Sequence, residues 1–391
     1  MVDPWEVPHY EREHHACPIG AGWWRGPAPR TGVCERALAE TGIIGGAELA
    51  DGSFRYRFLP GAESPPLRNA AGDPDEPHTR ASWIACRLFA ARRAFLSPFH
   101  EPTFMAVLNL TEDSFSDGGT LNSPQAVYEA ALQRQAEGAT LLDLGAESTR
   151  PGARGVAAQR QLQKLLPAME VLAETGFEVS IDTRSAEVAE TCLNRGAGMI
   201  NDVSALEDFA MGPLVAERGC RLVLMHTRGK PADMQTRADY RLLLGEVMDE
   251  LAQRVLRAFE TGVQAEQLIL DPGIGFAKTA EQSLELVGRL DAFRALGFPL
   301  LVGPSRKSFM EAVLDGKPPA ARDGGTAGAA ALCAAQGASY LRLHRGGDYW
   351  DAVKVAWAAA AAAHAAKVQQ GADREPTSGS SHAPAHEDST L

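Results

Sequence analysis

The sequence lacks paired cysteines, long apolar runs and an excess of positive charge. Its six cysteines, at positions 17, 34, 86, 192, 220 and 333, form no CxxC pair and show no metal-site spacing. We therefore expect reduced thiols in a cytoplasmic protein. No apolar run approaches the roughly 20 residues of a membrane span. The first ten residues are polar, so neither a membrane partner nor a secretory signal is predicted.

Positive charge is scarce, because 38 Lys and Arg stand against 50 Asp and Glu, for a formal net charge of -12. Nucleic-acid binding needs clustered Lys and Arg, so a nucleic-acid partner is not expected. Small anionic substrates would have to be held by a few local positive groups.

The two ends of the chain differ in composition from its middle. Residues 1–100 contain no lysine and are predicted to form an N-terminal extension of unknown role, with a linker-like stretch over 60–78 that is rich in Pro and Gly. Residues 369–391 are rich in Gly, Ser, Pro and His and are predicted to be a disordered tail.

Residues 101–368 repeat one unit, in which a short apolar run precedes a polar loop and a segment of helical period. The runs are 104–108, 140–144, 178–181, 199–200, 221–225, 268–270, 299–302 and 340–343. Eight such alternations predict an α/β fold of the (β/α)8 TIM barrel type. A doubly wound sheet is the main competitor, but the glycine-rich phosphate loop usual in that fold, GxGxxG or GxxxxGK[ST], is absent.

Helix boundary signals support this division. Ser123 followed by Pro124 is typical of an N-cap with proline at the first helical position, and that helix is expected to stop at Gly138. Thr279 and Gln282 have the spacing of a capping box.

Polar residues cluster directly after the predicted strands, which is the end of a barrel where active sites form. Asp182, Asn201 and Asp271 combine acceptors with an amide, the mixture that the NH, NH2 and C=O edge of an aminopyrimidinone needs. Lys307 and Arg342 supply positive charge in an acidic protein. The Gly, Ser and Thr residues of the first two loops suit phosphate binding through backbone NH and hydroxyl groups. The pattern favours a flat heterocycle that carries a diphosphate.

Two long loop motifs carry a family resemblance. Residues 109–119, N-L-T-E-D-S-F-S-D-G-G, and residues 143–152, D-L-G-A-E-S-T-R-P-G, resemble the two signatures of the dihydropteroate synthases. The shorter motifs I-D-T, I-N-D-V-S, L-M-H, D-P-G-I-G-F, S-R-K-S-F and R-x-H follow in family order. The resemblance covers about residues 102–368. It implies a Mg2+-dependent transferase of folate biosynthesis that joins 6-hydroxymethyl-7,8-dihydropterin diphosphate to p-aminobenzoate.

The resemblance also implies roles for individual residues. Catalytic roles would fall to Lys307, Arg342 and Asp182. The pterin edge would be held by Asp182, Asn201 and Asp271, in a slot lined by Val203, Met225, Phe276 and Gly303. Diphosphate would be bound by Thr149, Arg150 and His344, and Mg2+ by Asn109. The p-aminobenzoate would be framed by Phe115, Pro151, Ser308 and Lys307. A homodimer and binding of sulfonamides are further family expectations.

Two departures from the family pattern leave alternatives open. Glu112 replaces a proline in the first loop, and the usual Asp after His344 is missing. Both could alter diphosphate affinity, so a non-catalytic paralogue remains an alternative. A second alternative is a pterin-binding methyltransferase, which should lack both the first-loop signature and the S-R-K-S motif. His226 is as well explained by a structural role as by a ligand role, so we place it outside the catalytic set.

Overall fold

The computed structural model describes residues 17–20, 23–26, 43–48, 54–58, 99–111, 121, 123–148 and 155–372. A small sheet is formed by β1 (Cys17–Gly20), β2 (Trp23–Gly26), β3 (Ile43–Glu48) and β4 (Phe54–Phe58). A larger sheet is formed by β5 (Thr103–Asn109), β6 (Leu141–Gly145), β7 (Glu178–Asp182), β8 (Met199–Asp202), β9 (Arg221–Met225), β10 (Leu268–Asp271), β11 (Leu301–Val302) and β12 (Tyr340–Leu343). The helices are α1 (Pro124–Ala136), α2 (Ala158–Leu172), α3 (Ala186–Leu193), α4 (Met211–Arg218), α5 (Leu243–Glu260), α6 (Ala280–Gly288), α7 (Asp323–Ala335) and α8 (Asp348–Ala372).

The larger sheet is parallel and closes into a barrel. Its strand order is β10-β9-β8-β7-β6-β5-β12-β11. The two ends meet where the backbone N–H of Leu270 donates to the carbonyl of Pro299 at 2.9 Å and Leu270 bridges Leu300. Helices alternate with these strands along the chain, so the predicted (β/α)8 barrel is confirmed and the doubly wound sheet is excluded.

All eight predicted apolar runs lie on barrel strands, but several strands extend further than predicted. Asp182 still pairs with Asn201 across β7 and β8, and Asp271 pairs with Met225 across β10 and β9. These polar residues were expected in the loops that follow. They lie instead within the ladder, where the backbone is held more firmly than in a loop.

The predicted helix boundaries are confirmed where the structure describes them. The Ser123 side chain accepts a hydrogen bond from the N–H of Ala126, and Gly138 follows α1 with φ of 101°. The capping box of Thr279 and Gln282 opens α6. Within the described residues, no helix combines the length and the apolar character needed to cross a bilayer.

Alternation along the barrel strands separates two apolar clusters. The inward cluster consists of Met105, Leu141, Met199, Val223, Ile269 and Leu301, all at most 2% exposed. The outward side chains pack against the helices in a larger cluster. Side chains alternate along a strand with a period of two, so the residue two positions beyond a member of the inward cluster also points inward. That residue faces the carboxyl-terminal mouth of the barrel.

Part of the N-terminal extension is folded. Strands β1 to β4 form an antiparallel sheet in the order β1-β2-β4-β3, which the sequence analysis did not predict, and Ile43 is buried in the outer apolar cluster. Where the chain enters the barrel, Phe99 stacks on His364 at 4.8 Å, and its carbonyl accepts from Trp357 Nε1 at 2.9 Å. At the other end α8 continues to Ala372, past the predicted barrel end at residue 368. The linker-like stretch 60–78 and residues 373–391 lie outside the described residues.

Candidate active site

A layer of polar side chains lies directly above the inward apolar cluster. Asp143 of β6, Asp182 of β7, Asn201 of β8 and Asp271 of β10 each follow an inward residue by two positions, and each is at most 6% exposed. Burying charged groups is costly unless they are paired or hydrogen-bonded. Three buried carboxyl groups and one buried amide in one layer therefore indicate a site built to meet a polar ligand.

Arg342 of β12 joins two of these carboxylates. Its Nε donates to Asp143 Oδ2 at 2.6 Å, and its Nη2 donates to Asp182 Oδ2 at 2.9 Å. Asn201 Nδ2 also donates to Asp143 Oδ2, at 3.2 Å. Asp143 therefore orients both the guanidinium and the amide.

The sequence analysis quoted Asp143 within a motif but assigned it no role. A signal was present, because this charged residue interrupts the otherwise apolar strand L-L-D-L at an inward position. In a barrel strand, such a position faces the mouth.

The two remaining carboxyl groups have raised pKa values. Burial raises the pKa of Asp182 to about 7, with Arg342 opposing the shift and Asp143 adding to it. Burial also raises the pKa of Asp271, against the opposing charge of Lys307. One oxygen of Asp271 accepts from the N–H of Gly273 at 2.7 Å. A ligand that donates hydrogen bonds to these carboxyl groups would favour their charged forms.

Lys307 reaches the mouth from the loop after β11. Its Nζ donates to the carbonyl of Ile274 and lies 4.6 Å from the centre of the Phe276 ring. Burial lowers the pKa of Lys307 to about 8, with Asp271 opposing the shift. The ammonium group is therefore mostly charged at neutral pH. It faces the carboxyl group of Asp271, whose pKa is raised.

A cavity opens beside the polar layer, at the carboxyl-terminal end of the barrel strands. Asp182, Val203, Met225 and Phe276, all predicted to belong to the pterin slot, line it. Gly303 lies next to Arg342, where an added Cβ would come 3.7 Å from the Cβ of that arginine. The predicted pterin residues are thus brought together at one end of the barrel.

The residues predicted to bind diphosphate, metal and p-aminobenzoate are only partly described. Asn109 ends β5 opposite Gly145 of β6. His344 follows β12, and its Nδ1 lies 2.9 Å from the hydroxyl oxygen of Ser305. Ser308 is exposed at the start of a 3-10 helix, Ser308–Met310. The predicted site residues Phe115, Thr149, Arg150 and Pro151, together with Glu112, lie outside the described residues.

Glu147 joins the start of the second loop to the end of β7. Its carboxylate accepts from the N–H of Val156 at 3.0 Å and from Arg184 Nη2 at 2.7 Å. Glu147 and Arg184 both line the cavity. The sequence analysis gave neither residue a function, although Glu147 belongs to the second signature.

A chain of three titratable side chains, Lys278, His226 and Glu250, lies behind the slot, and the first two are buried. Lys278 Nζ lies 2.9 Å from His226 Nδ1 and donates to the carbonyl of Phe276 at 3.0 Å. His226 Nε2 lies 3.0 Å from Glu250 Oε2. Burial and then the charge of Lys278 lower the pKa of His226 well below its usual value, so the ring is neutral. Both ring nitrogens are engaged by side chains, which favours the structural one of the two roles considered for this histidine.

Contacts in the same region fix the backbone at Met225 and Gly273, on two sides of the slot. Arg254 of α5 donates to the carbonyl of Met225 at 2.5 Å and to that of Thr227. Gly273 has φ of 69°, and a Cβ there would come within 1.9 Å of the His226 carbonyl oxygen. Only glycine fits this close approach, which explains the glycine in the D-P-G motif.

The fold and the site together define a small-molecule enzyme of the (β/α)8 barrel class. The chain belongs to the pterin-binding enzyme family, because the family model described as "Pterin binding enzyme" matches residues 105–344. The matched range contains the whole polar layer and excludes the N-terminal extension.

Individual relatives narrow the class. The chain is 45% identical over 243 residues to a dihydropteroate synthase of Synechocystis sp., covering 61% of this chain and 84% of the relative. The crystal structure of the Yersinia pestis dihydropteroate synthase in a sulfonamide complex is similar with a TM-score of 0.61 and 34% identity, over 70% of this chain and 96% of that one. The Xanthomonas albilineans dihydropteroate synthase in complex with 7,8-dihydropteroate gives a TM-score of 0.59 and 33% identity, over 67% and 95% of the two chains. The predicted kinship with the dihydropteroate synthases, which are transferases, is confirmed.

Proposed function

We propose that this chain is a dihydropteroate synthase, which condenses 6-hydroxymethyl-7,8-dihydropterin diphosphate with p-aminobenzoate to give 7,8-dihydropteroate and diphosphate. The observation that carries the proposal is the buried layer of Asp182, Asn201 and Asp271 with Arg342 and Lys307 beside it. Its acceptors and cations match the donors and the carbonyl of a pterin edge.

In this proposal the carboxylates bind and orient the pterin. Asp271 accepts from a ring NH and the exocyclic NH2, and Lys307 donates to the ring carbonyl. The guanidinium of Arg342 is already fixed by Asp143 and Asp182, so it offers a planar cation on which the ring stacks without further ordering. A rigid slot of this kind fixes the methylene carbon relative to the incoming amine.

The reaction forms a bond from the p-aminobenzoate nitrogen to the pterin methylene carbon. The bond from that carbon to the diphosphate oxygen breaks, and its electron pair leaves with diphosphate. The nitrogen then loses one proton to water. An aromatic amine is nucleophilic when neutral, so the barrier lies in departure of the leaving group. We favour a dissociative path, because the pterin ring can release electrons to the methylene carbon. Hydrogen-bond donors near the diphosphate, His344 among the described residues, would stabilise the charge that develops on it.

Magnesium is part of the proposal. The amide oxygen of Asn109 is a hard ligand, and Mg2+ usually takes one or two protein oxygens together with substrate phosphates and waters. Within the described residues no group of three or more His, Cys, Asp or Glu is arranged for a metal ion, which fits an ion held mainly by the diphosphate. When bound, Mg2+ would stabilise negative charge on the leaving diphosphate.

The two alternative functions make different demands on the sequence. A methyltransferase would need no group near a diphosphate, whereas this chain places Lys307 and His344 at the mouth. A non-catalytic paralogue would keep the pterin layer but fail in turnover. The intact set of Lys307, Arg342 and His344 favours the synthase.

A turnover assay with the pterin diphosphate, p-aminobenzoate and Mg2+ tests the proposal directly. We expect 7,8-dihydropteroate to form, and Lys307→Met to lower kcat/KM by two orders of magnitude or more, by loss of a buried cation. Lys354→Met is the matched control, because Lys354 is an exposed lysine on α8. Pterin binding by the unmodified chain without any product would instead identify a non-catalytic paralogue.

We also propose a cytoplasmic homodimer. Cys192, Cys220 and Cys333 are buried, unpaired thiols within the described residues, which suits a reducing compartment. Apolar side chains are exposed on the adjacent helices α6, α7 and α8, namely Leu284, Leu332 and Val355, and such patches are common at subunit contacts. Sedimentation velocity should give a dimer, and Leu332→Glu should shift it to monomer. A monomer at all concentrations would contradict this assembly.

A further inference from the structure

The loop that presents Lys307 contains a residue in an unfavourable backbone conformation. Arg306 has φ of 57°, in the left-handed region. For a residue with a Cβ this conformation is disfavoured and persists only where the surroundings enforce it. Its two neighbours both serve the proposed site, because Ser305 contacts His344 and Lys307 points into the mouth.

The start of α7 supplies the enforcing contacts. Arg306 Nε donates to Asp323 Oδ1 at 2.7 Å, and its Nη2 donates to Asp323 Oδ2 at 3.1 Å. The backbone N–H of Arg306 donates to the hydroxyl oxygen of Thr326 at 3.0 Å. A bidentate pair of this kind fixes direction as well as distance.

Arg322 holds the next residues of the same loop. It is 4% exposed. Its Nη1 donates to the carbonyl of Lys307 at 3.1 Å, its Nε to that of Lys317 at 2.7 Å, and its Nη2 to Glu311 Oε2 at 2.8 Å. Lys307 lies in the S-R-K-S-F motif, and Glu311 and Lys317 follow that motif within eight residues. We call Arg322, Asp323 and Thr326 the α7 clamp.

We propose that the α7 clamp is a positioning device for the reaction: it holds Arg306 in the left-handed conformation and thereby aims Lys307 into the pterin slot and Ser305 at His344. The proposal rests on the proposed synthase function. None of the three clamp residues is assigned a contact with substrate, and they act through the loop that they hold. Asp323 Oδ2 also accepts from Arg345 Nη1 at 3.4 Å, a contact outside this loop. If the clamp is released, Arg306 relaxes towards the favoured right-handed or extended region, and the directions of both neighbours change.

A double-mutant cycle separates this role from general stabilisation. Glycine adopts a φ of 57° without a steric penalty, so Arg306→Gly should make the clamp dispensable for the loop conformation. We expect Asp323→Ala to lower kcat/KM about tenfold in the otherwise unmodified chain, equivalent to about 1.4 kcal/mol. In the Arg306→Gly chain the same substitution should change it by less than about twofold. Because Arg306→Gly also removes the guanidinium that Asp323 binds, Arg306→Ala is the matched control. Arg306→Ala should lose kcat/KM about as strongly as Asp323→Ala, whereas Arg306→Gly should stay within about twofold of the native chain. Equal losses for Arg306→Gly and Arg306→Ala, or equal losses for Asp323→Ala in both backgrounds, would overturn the proposal.

Two further measurements keep the test decisive. Asp323→Asn retains one oxygen for Arg306 and should lower kcat/KM by less than Asp323→Ala does. Its effect should again be smaller in the Arg306→Gly chain. This variant serves as the test if Asp323→Ala does not fold. Pterin affinity, measured by calorimetry on the same four proteins, should follow the same pattern. If the unmodified chain binds pterin but makes no product, the synthase assignment fails while the clamp is still tested through pterin affinity. If substitutions in the α7 clamp lower the melting temperature but leave kcat/KM and pterin affinity unchanged, the positioning proposal is also overturned.

Discussion

Replacing Asp271 by asparagine should remove pterin binding while leaving the barrel folded. In the native chain Asp271 Oδ1 accepts from the N–H of Gly273 at 2.7 Å. The amide oxygen of an asparagine would keep this bond, so its NH2 group would face the slot. One charge-assisted hydrogen bond to pterin is then lost, at about 1.5–3 kcal/mol, and one pterin donor is left unpaired, at about 1–3 kcal/mol. The sum corresponds to a loss of roughly two to four orders of magnitude in affinity.

Calorimetric titration with the pterin measures this loss, and circular dichroism with thermal melting reports on the fold. Asp291→Asn is the control, because Asp291 is exposed and lies in the 3-10 helix Leu290–Leu296. It should bind pterin like the native chain. A folded Asp271→Asn protein with near-native pterin affinity would refute the assignment of the pterin edge to this carboxylate.

Three further predictions concern pH, the N-terminal extension and the second substrate. The raised pKa of Asp182, about 7, means that the folded chain keeps a proton that the unfolded chain loses near pH 4. The free energy of unfolding should therefore fall as the pH rises from about 4 to about 7. Urea titrations at several pH values should show a smaller fall for Asp182→Asn than for the native chain. An equal fall in the two proteins would contradict the raised pKa of Asp182. A chain that starts at Ser97 retains Phe99 and its contacts with α8 and should keep synthase activity. If this shortened chain folds but is inactive, residues 1–96 contribute to the site or to the dimer. Sulfonamide affinity should rise strongly when pterin, Mg2+ and diphosphate are added, since the predicted p-aminobenzoate residues Phe115 and Pro151 belong to the same two motifs as Asn109, Thr149 and Arg150, the predicted contacts of Mg2+ and diphosphate. Equal affinity with and without these additions would contradict this coupling.

The barrel and the polar layer could be predicted from the sequence because both follow from short-range patterns. Alternating apolar runs mark the strands, and Asp182, Asn201 and Asp271 end three of them. The sheet register then brings these three residues together without further information. The same reasoning placed the strand ends slightly too early, because an apolar run ends at the first polar residue whereas the ladder continues beyond it.

The supporting contacts could not be predicted, because they join distant parts of the chain. The position of Asp143 in its strand was a signal, but its partner Arg342, 199 residues later, is seen only in the structure. Likewise, Lys278 looks like an ordinary loop lysine until the structure places it against His226, 52 residues earlier. The fold of β1 to β4 escaped prediction for another reason, since the Pro and Gly residues around those short strands favour a loop interpretation.

The polar layer makes the mouth of the barrel a locally frustrated region. Three buried carboxyl groups lie in one layer, and apolar residues of similar size there would relieve the cost of burying charge. Selection for thermal stability alone should therefore accumulate substitutions in this layer and abolish activity. Conversely, a pterin bound to this layer as proposed would complete the packing of the domain. Saturating pterin should then raise the melting temperature by an amount set by the ratio of ligand concentration to Kd, and the ligand would be part of the folded core.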